Sequence, residues 1–529
     1  MVLLSGSYET DQPKGDADSE EEGSPLHPSG RKTINPASPL RADLDEDEDD
    51  DGDSVGVQDL TERTIGSPQL MRGVSLRKTL RWGGAIWFAK PTVASEAKKA
   101  KLFASSAPTQ SYDMFVSHTW LTSGGYKMLA LLLQFGWRAM FVSWAMGATL
   151  ALVLCLLGQL PAITSFHADV TGFEGSIPLH CWSMMGGFIG ALVGLLLYPH
   201  VSCHRTDTCF LDYLCIHQSD KRMMQQGIRS IGAFLAASRE LRVLWSPPYL
   251  TRLWCVFELA AYRKLNPAGK IVIKPIATDI AVYMMFFWVQ LASVGILASW
   301  ADSEDRVSRS MRLLGVSSST FLFLFPALAY TARKKHQEDM QLTSDLASFN
   351  VKNVECSNDF DRECIHAAIA EWYGSLDEFS AHIRDVFRFE VINLMHANGI
   401  MPAQYIWLSL LPVVSLTCEV LLGLWIAGAP ATSLLACFMG YIIALNLLWF
   451  PAIAVLATFA TKYGLWVRKR RCHPFILEVF AVSLLTGSLF VLGSILAEVA
   501  TARGMEWIGL WNFLALSVAG WAWGRCWRV

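Results

Sequence analysis

Two residues in the middle of the chain have the types and spacing of a small chemical site. Trp254 and Glu258 are four residues apart in a segment with helical periodicity, so their side chains share one face of the helix. A carboxylate in such a position can stabilise positive charge that develops on a bound molecule. The alternative is structural, with Trp254 packed on the preceding apolar strand. Glu258 then pairs with a basic neighbour, namely Arg252, Arg263 or Lys264.

A second group of candidates follows the first predicted strand, residues 112–120. Ser117, His118 and Trp120 come at its carboxyl end. Ligands bind at the carboxyl ends of the strands in parallel α/β sheets. The sequence therefore predicts that these three side chains lie at the ligand-binding edge of the sheet.

The segment Thr208 to Tyr262 must position these residues, and it has the pattern of strand, loop, helix, strand, turn and helix. Apolar residues recur at helical spacing from Met223 to Ser238, and Leu241 to Trp245 is a short apolar run typical of a buried strand. Two strands joined by a helix form a parallel βαβ unit. Such a unit cannot lie within a bilayer, because its backbone groups pair between separate segments.

The composition indicates that a membrane protein surrounds this unit. Of 529 residues, 52% are hydrophobic, 17% are charged and 20 are Trp. We predict eight apolar segments that are long enough to cross a hydrocarbon core of about 30 Å. They lie at residues 138–160, 181–199, 279–300, 312–331, 404–427, 432–460, 474–498 and 507–524.

The charges around these segments predict their orientation. The loops 161–180 and 428–431 contain no Lys or Arg, whereas 461–473 and the C-terminal residues are basic. Cytoplasmic loops carry an excess of Lys and Arg. We therefore expect an integral, multi-pass membrane protein with both termini and the βαβ unit in the cytosol, and with the lipid bilayer as a partner.

The alternation of polar and apolar segments predicts the domain organisation. Residues 1–71 are rich in Ser, Gly, Pro, Asp and Glu, which predicts a disordered acidic tail. Residues 72–107 mix basic and aromatic residues, which is typical either of a basic juxtamembrane linker or of a segment on an anionic leaflet. The remaining units are a first sheet part at 108–137, a membrane hairpin at 138–199, a second sheet part at 200–276, a membrane hairpin at 277–331, a cytosolic strand and helices at 332–403, and a four-span region at 404–529.

Three blocks of sequence, in this order, resemble a known family. YDMFVSH at 112–118 is similar to the first strand of a toll/interleukin-1 receptor (TIR) domain, and FLDYLCIHQSD at 210–220 resembles its second strand and following loop. SRELRVLWSPPYLTRLWCVFELAAY at 238–262 resembles its third strand and third helix, while LDYLCIHQ also resembles heterokaryon-incompatibility (HET) domains. The resemblance covers about 100 of 529 residues and implies a flavodoxin-like parallel sheet.

Membrane spans interrupt this TIR-like pattern. Two predicted spans separate the first helix from the second strand, and two more follow the predicted fourth strand at 270–276. The domain is then assembled from three discontinuous segments, 108–137, 200–276 and 340–396. In this hypothesis residues 349–354 supply the fifth strand.

The resemblance also implies a reaction. Some TIR domains cleave the nicotinamide–ribose bond of NAD with a Glu in this W-x-x-x-E pattern. Departure of nicotinamide leaves an oxocarbenium-like sugar, which a carboxylate can stabilise. By resemblance Glu258 is the catalytic candidate, the substrate is NAD, no cofactor is required, and the binding candidates are Ser117, His118, Trp120 and Trp254. Other TIR domains only self-associate, which implies a homo-oligomer without catalysis.

Polar residues inside the predicted spans support a further interpretation. Glu419, Asn446 and Gln290 lie within apolar segments, where such groups are functional candidates. Glu419 either lines a transport path or forms a hydrogen bond between helices. The sequence thus leaves three functions open: a TIR-like signalling protein that self-associates or hydrolyses NAD, a non-enzymatic sensor or scaffold, and a channel or transporter. We expect neither a metal site nor a nucleic-acid partner.

Overall fold

The computed structural model describes residues 68–89, 94–201, 207–300, 325–356, 359–397, 402–463 and 475–527. The predicted disordered tail lies outside this part of the chain up to residue 67, as does most of the predicted span at 312–331. The described residues form a six-stranded mixed sheet, a separate two-stranded hairpin and a set of long apolar helices.

The strands occur in two sheets. They are β1 (Arg72–Ser75), β2 (Ala107–Pro108), β3 (Met114–His118), β4 (Thr164–Val170), β5 (Phe173–Leu179), β6 (Thr208–Phe210), β7 (Glu240–Trp245) and β8 (Lys270–Pro275). The larger sheet has the order β2-β1-β6-β3-β7-β8, and β4 pairs with β5. In the larger sheet β6, β3, β7 and β8 are parallel, whereas β1 and β2 add antiparallel pairs at one edge.

The helices begin with four that flank β1 to β5. They are α1 (Leu76–Gly84), α2 (Glu96–Ala104), α3 (Gly124–Leu156) and α4 (Trp182–Leu197). The helices interleaved with the later strands are α5 (Asp212–Cys215), α6 (Lys221–Arg229), α7 (Ile231–Ala236) and α8 (Leu253–Leu265). Those that follow β8 are α9 (Ile276–Trp300), α10 (Phe325–Ala347), α11 (Asp359–Tyr373), α12 (Leu376–His382), α13 (Arg388–Ala397), α14 (Ala403–Ile426), α15 (Ala431–Cys437), α16 (Phe450–Tyr463), α17 (Phe475–Arg503) and α18 (Met505–Trp527).

The parallel strands pair as their apolar runs predict. All five residues of β3 are buried, and β3 pairs with β7 from Phe115 opposite Leu241 to His118 opposite Leu244. Strands covered on both faces have continuous apolar sequences, because neither face meets water. The chain therefore places β3, which precedes the first apolar hairpin, between two strands that follow it.

Residues 72–75 form β1, a strand of the larger sheet, where the sequence predicts a linker. Val74 of β1 pairs with Cys209 of β6, and Val74 is buried. The following α1 buries Leu76 and Leu80 against the same core. The sequence did not predict this strand, because β1 is only four residues long and the apolar residues around it are interspersed with Arg and Lys.

The prediction of a fifth strand at 349–354 is wrong. Its central residues Val351–Asn353 form a 3₁₀ turn, and the sheet ends at β8. The apolar residues are buried, but the amide of Val351 donates to the hydroxyl of Ser380 instead of to a strand. The chain next to this turn caps α8, since Leu253 N donates to the carbonyl of Glu355 over 2.9 Å.

Five described helices are long and apolar enough to cross a membrane. They are Gly124–Leu156, Ile276–Trp300, Ala403–Ile426, Ala431–Thr461 and Ile476–Arg503. The fourth is one continuous helix in which a π-helical stretch, Phe438–Trp449, joins α15 to α16. The predicted span at 181–199 corresponds to α4, an apolar helix of only 16 residues. These helices indicate a membrane protein.

A hydrogen-bonded chain joins the sheet to the apolar helices. Arg242 of β7 donates to Gln134 of α3, and Gln134 donates to Asp279 in the first turn of α9. Tyr405 of α14 donates to the second carboxylate oxygen of Asp279 over 2.7 Å. Buried polar groups need such partners, so these contacts fix where α3, α9 and α14 meet the sheet.

Candidate functional site

The candidate site lies at the carboxyl edge of the parallel strands. Ser117 is the fourth residue of β3, and its side chain is buried. Its hydroxyl lies 2.5 Å from the hydroxyl of Tyr249 and donates a hydrogen bond to the carboxylate of Glu258. Ser117 therefore connects two groups that lie more than 130 residues further along the chain.

Two short elements after β7 bring these groups to Ser117. Tyr249 lies in the 3₁₀ turn Pro247–Thr251, which the two prolines begin, and its ring is fully buried. Glu258 lies in the second turn of α8, whose neighbouring residues Phe257 and Leu259 are buried in the core. The turn and the helix thus hold a phenol and a carboxyl within hydrogen-bond distance of one hydroxyl.

The environment of Glu258 changes its proton affinity. Burial raises the pKa of the Glu258 carboxyl from 4.5 to about 8, while the hydrogen bond from Ser117 lowers it and the charge of Asp212 raises it. The residue as a whole is nevertheless partly exposed. A carboxyl with a pKa near neutrality can hold a proton in the free protein and release it when a cation binds.

Trp120 forms the exposed rim of this site. Its indole N–H donates to the carboxylate of Asp212 over 3.1 Å, and 44% of its surface is exposed. The ammonium group of Lys127 lies 5.2 Å from the centre of the Trp120 ring and donates to the carbonyl of Thr119. These contacts hold a flat aromatic surface in place, on which a planar ring can stack.

His118 supports the rim rather than the carboxylate. Its ring is buried edge-on against Trp87 and Trp120. Burial, followed by the charge of Lys127, lowers the pKa of His118 well below its usual value, so the imidazole is neutral. Of the sequence candidates, Ser117, His118, Trp120 and Glu258 therefore come together at one edge.

Within the residues that the structure describes, Trp254 makes no hydrogen bond or ring contact with the other candidate residues; it packs between α8 and α11. Its indole N–H donates to Asp361 of α11 over 3.2 Å, and its ring lies edge-on to Phe257. Although Trp254 and Glu258 are predicted to share one helix face, their side chains bond to different elements. Trp254 fixes α11 on α8, whereas Glu258 bonds to Ser117 of β3.

Sequence reasoning missed three side chains of this site: Tyr249, Asp212 and Lys127. Asp212 lies two residues after the end of β6, the strand beside β3, so the rule that placed Ser117 at the carboxyl edge also applies to Asp212. Lys127 is buried in the first turn of α3. It was missed because the residues that follow it have the pattern of an apolar helix. Nothing in the sequence indicated that the phenol of Tyr249 reaches β3.

The polar residues in the apolar helices form a separate group. The side chain of Glu419 is 0% exposed, and one carboxylate oxygen accepts from the amide and the hydroxyl of Ser183, each over 2.7 Å, at the start of α4. Asn446 donates to the hydroxyl of Thr417 over 2.8 Å. The Gln290 carbonyl is buried and has no partner within the described ranges. Glu419 therefore links α14 to α4.

Within the part of the chain that the structure describes, no group of three or more His, Cys, Asp and Glu side chains is arranged to hold a metal. Comparison with known proteins finds no matching family model, no matching curated protein and no matching solved structure.

Proposed function

We propose that this chain is a membrane-embedded, TIR-like signalling protein whose cytosolic sheet cleaves the nicotinamide–ribose bond of NAD. The observation that carries the proposal is the contact of Glu258 with Ser117 at the carboxyl edge of the parallel strands. The four parallel strands have the spatial order second, first, third, fourth, which agrees with the flavodoxin-like order 2-1-3-4-5. The TIR-like blocks of sequence lie on the first three of these strands.

The proposed reaction uses the developing charge of the substrate. The bond between the ribose C1′ and the nicotinamide nitrogen breaks, and its electron pair stays on the ring, which leaves as neutral nicotinamide. Water then adds to C1′ and loses a proton, so the products are ADP-ribose, nicotinamide and a proton. The ionised carboxylate of Glu258 stabilises the oxocarbenium-like sugar.

The other residues have supporting roles in this proposal. Binding of the cationic nicotinamide ring near Glu258 favours the ionised carboxylate, which offsets the effect of burial on the pKa. Ser117 orients that carboxylate through its hydroxyl. Trp120, at the rim, offers the ring on which a planar base stacks.

The membrane topology belongs to the same proposal. We infer eight spans, with both termini and the larger sheet in the cytosol and the β4–β5 hairpin on the opposite side. The absence of Lys and Arg from residues 161–180, which include that hairpin, supports this orientation. A protease-protection assay on sealed vesicles should digest tags on both termini only from the cytosolic side.

The purified full chain, reconstituted in nanodiscs, tests the enzymatic proposal. We expect release of nicotinamide and ADP-ribose from NAD, and a loss of at least about 100-fold in the Glu258→Gln variant. Glu371→Gln, which changes an exposed carboxylate on α11, serves as the matched control and should retain full activity. Equal rates for wild type and Glu258→Gln would contradict catalysis by this site and favour a non-enzymatic scaffold.

A further inference from the structure

A cavity of about 370 Å³ lies where the sheet meets the apolar helices. Thr122 and Ser246, from the loops after β3 and β7, form part of its wall, and their hydroxyls lie 2.7 Å apart. Most of the remaining wall comes from α9, α10, α14 and α16, with Tyr126 of α3 and Trp245 of β7. Its volume falls in the range of roughly 300–1,000 Å³ that small-molecule sites occupy.

One side of the cavity is apolar and continuous with the outer surface of α9. Met284, Val289 and Leu410 line it, and Met284 is also exposed on the outside of the helix. The exposed neighbours on α9 include Phe287 and Leu291, as expected of a helix surface that faces hydrocarbon. This side of the cavity therefore offers an apolar surface against which an acyl chain can lie.

Two hydrogen-bond donors line the cavity without a partner. The indole N–H of Trp245 and the hydroxyl of Thr278 are 3% and 8% exposed by residue, and neither bonds to any described residue. Both side chains also line an adjoining smaller cavity of about 50 Å³. Because buried donors nearly always have an acceptor, these two groups indicate an acceptor oxygen that belongs to a ligand.

The polar end of the cavity carries cationic side chains. Lys334 and Lys335 line it together with Glu338, and Lys335 lies 4.0 Å from Asp339. Burial raises the pKa of the Glu338 carboxyl, which weakens its repulsion of an anion, although Lys334 acts in the opposite sense. Two lysines, one carboxyl and two uncharged donors thus line the same cavity.

We propose that this cavity binds a membrane phospholipid with an anionic head group. Trp245 and Thr278 donate to the head-group oxygens, Lys334 and Lys335 balance the charge, and the acyl chain lies beside Met284. The proposal does not depend on NAD cleavage. Ser246 lies three residues before Tyr249, whose amide donates to the Ser246 carbonyl, so the lipid would also contact the turn that holds the candidate site.

The test uses the full chain in phosphatidylcholine nanodiscs that contain a small fraction of photoactivatable phosphatidic acid. We expect cross-links on α9 and α10 peptides that line the cavity. Unlabelled phosphatidic acid should compete, whereas added phosphatidylcholine and inorganic phosphate should not. Competition by phosphatidylcholine would overturn recognition of an anionic head group, and competition by inorganic phosphate would overturn a lipid ligand.

Two sets of variants locate the site. Trp245→Phe combined with Thr278→Val removes both donors and should reduce specific cross-linking about tenfold. Ala281→Trp fills the cavity and should abolish it, whereas Ala298→Trp, at an exposed position of the same helix, should not change it. Labelling that is insensitive to the two donor substitutions would refute the proposal, even if Ala281→Trp fails to fold.

Discussion

Glu258 and Glu419 are two carboxyl groups with different degrees of hydrogen bonding. Glu258 is half-buried at a sheet edge and receives one side-chain hydrogen bond, from Ser117. Glu419 is completely buried between helices, and one of its oxygens accepts three hydrogen bonds from Ser183 and Met184. Both residues were candidates from sequence, because each is an acidic group in an apolar context.

The two carboxyls differ in the kind of donor that each accepts from. The donors to Glu419 include amides at the start of α4, where helix N–H groups have no intrahelical partner and favour negative charge. Glu419 therefore completes the end of a neighbouring helix. Glu258 completes no helix, and a partly accessible carboxyl with few donors can still respond to a ligand.

The largest expected effect on stability comes from Glu419. Glu419→Ala removes the acceptor of the Ser183 and Met184 amides and should lower the free energy of unfolding by about 2–5 kcal/mol. Glu258→Ala removes a single hydrogen bond and should cost less than about 1 kcal/mol. Thermal unfolding in one detergent measures both, with Glu498→Ala, an exposed carboxylate in α17, as the control. Equal losses of unfolding free energy in Glu258→Ala and Glu419→Ala would show that the two carboxyls contribute equally to stability.

The two carboxyls also show what the sequence can predict. The order of apolar runs was sufficient to place Ser117 and Glu258 at one sheet edge, because parallel strands end together. The partners of Glu419 were not predictable, since Ser183 lies 236 residues away. The turn at 349–354 was misassigned because apolar residues bury equally well in a strand or in a turn. The hydrogen bonds distinguish the two, since the Val354 amide donates to the Val351 carbonyl and the Val351 amide donates to Ser380.

A second prediction concerns the pH dependence of stability. Between pH 4.5 and about 8, folded Glu258 keeps its proton whereas the unfolded chain releases it. The folded state then binds more protons, so the free energy of unfolding falls as pH rises through this window. We expect a total loss of about 2 kcal/mol, after allowance for solvent screening at a half-buried site.

Chemical unfolding at several pH values measures this dependence. Glu258→Gln cannot release a proton, so the difference between its stability and that of wild type should grow from pH 5 to pH 8 and stay constant above pH 8. Parallel curves for the two proteins would show that Glu258 does not titrate in this window.

The smallest expected effect is a shift in the pH midpoint of kcat/KM when either of the two groups that act on Glu258 is changed. Asp212 raises the pKa of Glu258 and Ser117 lowers it. If the ionised carboxylate acts on NAD, kcat/KM should rise with pH and level off above about 8, because this ratio reports the free enzyme. Ser117→Ala should then move the midpoint upward and Asp212→Asn should move it downward, each by up to about one pH unit.

These opposite shifts distinguish electrostatic control of Glu258 from general damage to the site. Damage lowers the rate at every pH without moving the midpoint, and it acts in the same direction for both substitutions. Steady-state kinetics of NAD cleavage from pH 6 to pH 10 measure the midpoints. The contacts of Asp212 and Ser117 predict the direction because Asp212 brings a negative charge near the carboxylate, whereas Ser117 donates a hydrogen bond to it. Shifts in the same direction would mean that Asp212 and Ser117 do not control the pKa of Glu258 through charge and hydrogen bonding.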